Sequence, residues 1–165
     1  MAIRWRTNRR APLSKHEKPS LESAQRIRDR CLCLHAQRAA RALARHFDNA
    51  LRPVGLSNGQ FSLLVSLNRP GAASMGSLAE LLAMDRTTLT ANLKPLERRG
   101  LLGVTVDAND KRSRRIALTP AGRALLRKAV PLWQHTHAET EQLAGMDADS
   151  LRAALRALTA ATSQQ

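Results

Sequence analysis

The chain has 165 residues, and its 27 Lys and Arg against 13 Asp and Glu leave a formal net charge of +14. That length holds one domain and excludes a catalytic domain beside a regulatory one, while the cation surplus asks for a polyanionic partner. No stretch approaches the ~20 apolar residues of a transmembrane helix, the N-terminus has no apolar signal core, and two Cys do not make a disulfide scaffold, so no membrane partner and a cytoplasmic, reducing home are expected.

Residues 1–20 are basic, contain Pro and lack apolar periodicity, so a disordered basic arm is expected there. Its Arg4, Arg6, Arg9 and Arg10 suit phosphate or minor-groove contacts. Ser20 can cap one long helix from Leu21 to about Leu51. Its apolar positions Ile27, Leu32, Leu34, Leu43, Phe47 and Leu51 fall on several faces, as in a helix that packs against more than one partner. Arg52-Pro53-Val54-Gly55 ends it. Ser57 and Gln60 have the capping-box spacing and open a scaffold helix through Phe61, Leu64, Val65 and Leu67. Arg69 to Ser74 is expected to be a loop.

A DNA-reading module is expected over about 57–119, centred on the stretch from Ser74 to Thr119. A short helix from Ser77 to Ala83 buries Leu78, Ala79 and Leu82; a tight turn follows at Met84-Asp85. A second helix runs from Arg86 to Arg99 with Asp85 as its N-cap. Leu89, Leu93 and Leu96 share one face, leaving Arg86, Thr87, Thr88, Thr90, Ala91 and Lys94 on the remaining surface. Short polar and basic side chains are what a helix needs to approach base edges in a major groove. Pro95 cannot donate to the Ala91 carbonyl, so the base-reading half should end near Lys94. After Gly100, the runs Val104-Thr105-Val106 and Ile116-Ala117-Leu118 flank a loop rich in turn formers and cations, among them Lys111, Arg112, Arg114 and Arg115, with guanidiniums suited to phosphates or a narrow minor groove.

Thr119 caps a further helix with Pro120 in its first turn. Its apolar pattern includes Leu125, Leu126, Ala129, Leu132 and Trp133, with a kink expected at Pro131 and a stop at Gly145. Asp147 or Asp149 caps a last helix with Leu151, Ala154, Leu155 and Leu158 on one stripe. Such a stripe is expected to dock on another subunit or on the domain's own core, and the subunit is favoured.

These residues carry a resemblance. Leu96-Glu97-Arg98-Arg99-Gly100-Leu101-Leu102, then seven residues to Asp110-Lys111-Arg112, then Thr119-Pro120-Ala121-Gly122, resemble the signature of the MarR family of winged helix-turn-helix transcriptional regulators. The similarity runs from about Cys31 to the C-terminus. It implies a mainly α fold with a small β-hairpin wing and a dimer built from the N- and C-terminal helices, about 21–51 and 120–161, within one domain over 21–165. It further implies that Arg112 reaches a minor groove from the wing and that Asp110 holds it by a salt bridge. Many members carry an Arg after the recognition-helix Thr, where this chain has Ala91. Two-fold symmetry would place two recognition helices in successive major grooves, predicting a pseudo-palindromic site on double-stranded DNA.

No nucleophile elbow, phosphate loop or metal motif is present, so neither an enzyme nor a cofactor is expected. His135 and His137, two apart, point to different helix faces, and no metal site is expected. The expected function is a dimeric, sequence-specific repressor released by a signal; the rival from another class is a sequence-tolerant architectural coater of nucleic acid. Two signals compete. Laid on the organic-hydroperoxide-sensing branch of the family, Cys33 takes the position of its peroxide-reactive Cys and Arg41 that of a matching Arg, in surroundings that favour a thiolate. That branch holds the Cys with tyrosines, whereas this chain has no Tyr, and Phe47 stands where one would be. The other signal is a small aromatic or phenolic acid of the kind MarR-like dimers bind, with His35, Arg38, Arg41 and Trp133 as candidate pocket residues.

Overall fold

The computed structural model describes residues 20–162 with positions 109 and 146 excepted; the arm expected over 1–20 lies outside the described residues apart from Ser20. The described residues divide into two compact units, the first ending at Ala39 and the second beginning at Ala40.

In the first unit, α1 (Leu21–Arg30) begins at the expected cap, Ser20, whose hydroxyl oxygen accepts the Ser23 N–H at 3.1 Å. The single long helix expected to Leu51 is instead broken at Cys31, which takes an extended conformation (φ −74°, ψ 105°). A second helix, α2 (Leu32–Leu51), restarts at once. The break has a local cause without Pro or Gly: the Cys31 sulfur accepts the Leu34 N–H at 3.4 Å, meeting one of the orphan donors of a new helix start. The His35 ring nitrogen lies 3.2 Å from the Asp29 carbonyl across the same break.

The second unit contains the core. A 3₁₀ turn, Arg52–Val54, closes on Gly55 at φ +66°, and α3 (Asn58–Leu67) opens with the complete Ser57/Gln60 capping box. Phe61, Leu64 and Leu67 are buried in α3 as expected, Leu63 is buried beside them, and Val65 is exposed. Then come β1 (Ala73–Ser74), α4 (Met75–Leu81), α5 (Arg86–Arg98), β2 (Leu102–Val106), β3 (Arg114–Leu118), α6 (Pro120–Ala144) and α7 (Ala148–Thr162). The wing is therefore a three-stranded antiparallel sheet in the order β1-β3-β2. Val104 pairs with Ile116 on one side of β3, and Ala73, in the segment expected to be a loop, pairs with Ile116 on the other. Ile116 is fully buried, as are Leu51, Leu63, Leu64, Leu78, Leu89 and Leu96. These side chains lock the helix-turn-helix onto the scaffold, and truncating one of them to Ala typically costs about 2–5 kcal/mol.

α6 runs through Pro131 to Gly145, which ends it at φ +59°. Asp147 caps α7, accepting the Ser150 N–H at 3.0 Å. No helix among the described residues is long and apolar enough to cross a membrane.

Candidate nucleic-acid interface and effector cavity

The turn between α4 and α5, at Leu82-Ala83, lies two residues earlier than expected. Ala83 takes the left-handed conformation (φ +49°), which costs a residue with a Cβ about 1 kcal/mol or more. The turn is closed by Met84 N–H to the Ala79 carbonyl at 2.9 Å. Asp85 is the expected cap: its carboxylate accepts the Thr88 N–H at 2.8 Å and the Thr88 hydroxyl at 2.6 Å.

Burial of Leu89, Leu93 and Leu96 fixes which face of α5 looks outward. Arg86, Thr87, Thr90, Ala91 and Lys94 line one shallow groove there, all of them exposed. The groove ends at Lys94, one residue before Pro95, though the helix itself continues to Arg98. Thr88 lies outside the groove lining, its hydroxyl turned to the cap. The Thr90 hydroxyl donates to the Arg86 carbonyl at 2.7 Å, so its methyl and oxygen lone pairs are what remain for a ligand. Ala91 leaves the centre of this face shallow, where a longer side chain would hold the backbone off.

In the wing, the salt bridge implied between Asp110 and Arg112 is replaced by a turn. The Asp110 carboxylate accepts the Arg112 backbone N–H at 2.9 Å and the Ser113 hydroxyl at 2.7 Å. The ion pair that braces the wing joins Asp107, buried at the base of the strands, to Arg115. The physical reason is register: Asp107 N–H bonds the Ser113 carbonyl at 3.0 Å, closing the loop so that position 110 faces its own turn. Arg114 belongs to β3 and folds its guanidinium back onto the Lys111 carbonyl at 3.1 Å. Lys111 and Arg112 are left exposed at the tip.

Three side-chain caps thus depend on carboxylates. Ser or Thr hydroxyls, with backbone N–H groups second, hold Asp85, Asp110 and Asp147 below their ordinary value of 3.8. A depressed folded pKa contributes stability that is present above the unfolded value and lost as pH falls through the folded one. Thermal stability should therefore be insensitive to these groups above about pH 5 and decline below about pH 4; Asp85→Asn should flatten part of that decline, as a pH series of melting curves would reveal.

The junction behind the wing is tight. The Thr119 hydroxyl donates to the Gly100 carbonyl at 2.7 Å and accepts the Gly122 N–H at 3.0 Å. A Cβ built on Gly122 would lie 1.9 Å from the Leu101 carbonyl oxygen.

A cavity of about 360 Å³ lies between α2, α6 and α7, lined by Leu43, Phe47, Asn58, Trp133, His137, Thr140, Glu141, Ala148, Leu151, Arg152 and Leu155. Trp133 and His137 are stacked with centroids 4.5 Å apart and planes 12° from parallel, and Trp133 also stacks on Phe61 at 6.1 Å. Of the candidate pocket residues, Trp133 lines this cavity and Arg41 does not; His35 and Arg38 belong to the first unit. Phe47, His137, Glu141 and Arg152 were missed, although the i,i+4 spacing of His137 and Glu141, 3.1 Å apart, was a readable sign. His135 pairs separately with Glu139 at 3.3 Å, and no metal-binding cluster occurs among the described residues. Cys33 is an exposed free thiol whose sulfur accepts from the Gln37 amide at 3.2 Å.

Known proteins resemble this chain in sequence and fold. Residues 56–113 match the family model described as MarR family. The transcriptional activatory protein BadR of Rhodopseudomonas palustris is 38% identical over 77 residues, 45% of this chain and 44% of that protein, so the match spans under half the length of that relative. The structure of the M. tuberculosis transcriptional regulator MosR in complex with DNA is 41% identical, covering 82% of this chain and 98% of that one with a TM-score of 0.74. The transcriptional repressor CouR bound to a 23-mer DNA duplex is 29% identical over 83% of this chain and 95% of that one, with a TM-score of 0.65. The family and fold are those of transcription regulators, which are not enzymes: this chain belongs to the MarR family.

Proposed function

We propose that this protein is a homodimeric, sequence-specific regulator that binds double-stranded DNA at a pseudo-palindromic operator and represses until an effector releases it. The observation that carries the reading is the outward face of α5, where Arg86, Thr87, Thr90 and Lys94 surround a central Ala91. Such a face admits close approach to base edges while its cations neutralise phosphates. The exposed tip of the wing, Lys111 and Arg112, supplies further cations. Arg114 contributes charge from the edge of the same hairpin, and Thr88 acts by holding the first turn of α5. DNA complexes of MosR and CouR support the assignment by similarity.

The effector reading rests on the cavity against α7. A ligand that favours a dimer with its recognition helices at the wrong separation lowers DNA affinity. An aromatic molecule suits the stack of Trp133 and His137. The exposed thiol of Cys33 favours a second signal, oxidation by an organic hydroperoxide.

Fluorescence anisotropy with duplex DNA tests the interface. Arg112→Ala should weaken specific binding by about 10- to 100-fold, and Lys94→Ala should weaken all sequences alike and lower the salt slope by about 1. Unchanged affinity in both variants would remove the wing and the end of α5 from the interface. Loss of binding on hydroperoxide treatment, restored by thiol and absent in Cys33→Ser, would select the redox signal; indifference to oxidant would reject it.

A further inference from the structure

The charges around the cavity between α2, α6 and α7 select among its ligands. We propose that it takes a planar aromatic that is neutral or cationic and donates a hydrogen bond, and that it discriminates against aromatic carboxylates. This rests on the reading of the cavity as the effector site.

The walls are apolar, and the stacked rings of Trp133 and His137 offer a flat surface to a second ring system. The charged and titratable groups of the lining, His137 and Glu141 on α6 and Arg152 on α7, pair with one another. Arg152 is the one guanidinium in the lining. Its two terminal nitrogens are engaged by carboxylates, Nη1 with Glu141 at 2.5 Å and Nη2 with Asp149 at 2.7 Å. The His137 Nε2 also faces Glu141, at 3.1 Å. Arg152 holds the Glu141 carboxyl below its usual range, so this group is an anion at neutral pH.

Within the lining, one guanidinium and one imidazole thus stand beside the Glu141 carboxylate, and Asp149, outside the lining, takes the other end of the guanidinium. The Thr140 hydroxyl donates its proton to the Thr136 carbonyl at 2.7 Å, leaving lone pairs toward a ligand. An incoming carboxylate would meet a guanidinium already neutralised by two carboxylates and would lie close to the like charge of Glu141, which is unfavourable. An ammonium, a ring N–H or a hydroxyl would instead find acceptors.

Isothermal titration calorimetry of the full chain with three matched probes tests this: 2-naphthylmethylamine, 2-naphthalenemethanol and 2-naphthoate. The amine and the alcohol should each bind at least about 10-fold more tightly than 2-naphthoate. Glu141→Gln should reduce the gap between amine and naphthoate, whereas Trp133→Ala should weaken all three probes together. Naphthoate binding as tightly as the amine, with Trp133→Ala still weakening both, would overturn the charge selectivity and leave the effector site standing. Failure of all three to bind, together with a looser dimer in Trp133→Ala, would mean that the second subunit fills the whole cavity rather than bordering its α7 wall, and would overturn both.

Discussion

Replacing Gly122 by Ala should cripple folding, even though the substitution adds one methyl group in a helix where Ala is ordinarily the better residue. The added Cβ would sit 1.9 Å from the Leu101 carbonyl oxygen, a backbone atom with no flexible side chain to move aside. That carbonyl is itself bonded by the Thr119 N–H at 3.2 Å, and Thr119 anchors Gly100 and the first turn of α6 together. Relief requires α6 to withdraw from the end of α5, opening the core around Leu101 and Leu126, both buried. Overpacking at such a site costs about 3 kcal/mol or more, and the melting temperature should fall by about 6–12 °C. Thr119→Ser keeps the hydroxyl and should leave stability near wild type; a melting temperature unchanged in Gly122→Ala would mean that this close approach is absent in solution.

Charging the stripe on α7 should abolish DNA binding without touching a DNA contact. Leu151, Leu155 and Leu158 remain 40%, 49% and 42% exposed in the chain, a contiguous apolar face that a second subunit would cover. With Leu151→Glu and Leu158→Glu combined, sedimentation velocity should give a monomer. Each monomer carries one recognition helix and grips one half-site, so affinity for the full operator should drop by about 10²-fold or more. A double variant that stays dimeric and binds normally would place the subunit interface elsewhere.

How far the sequence reaches is visible residue by residue. Ser20, Ser57, Asp85 and Thr119 cap helices where expected, because a cap is a local bargain between one side chain and the next three N–H groups. The outward face of α5 was legible for the same reason: three Leu at helical spacing determine which residues remain outside. The break at Cys31 was not legible, since a thiol that caps a helix leaves no pattern of its own. Nor was β1, whose two residues form a strand only because Ile116 and Arg115 lie opposite them. The brace between Asp107 and Arg115 depends on hairpin register. The cavity gathers Phe47, Trp133 and Leu151 from three distant helices, an arrangement that helical periodicity cannot convey.

The central claim is that two copies of α5 read a specific two-fold sequence. Selection of bound duplexes from a random pool by the full protein, followed by anisotropy on the enriched sequence and a scrambled control, tests it most directly. The account predicts a pseudo-palindromic motif with half-sites about one helical turn apart, preferred over the control by about 10³-fold or more. Enrichment of no motif, with equal affinity for every duplex and a steep dependence on salt, would contradict it and leave a sequence-tolerant coater of nucleic acid.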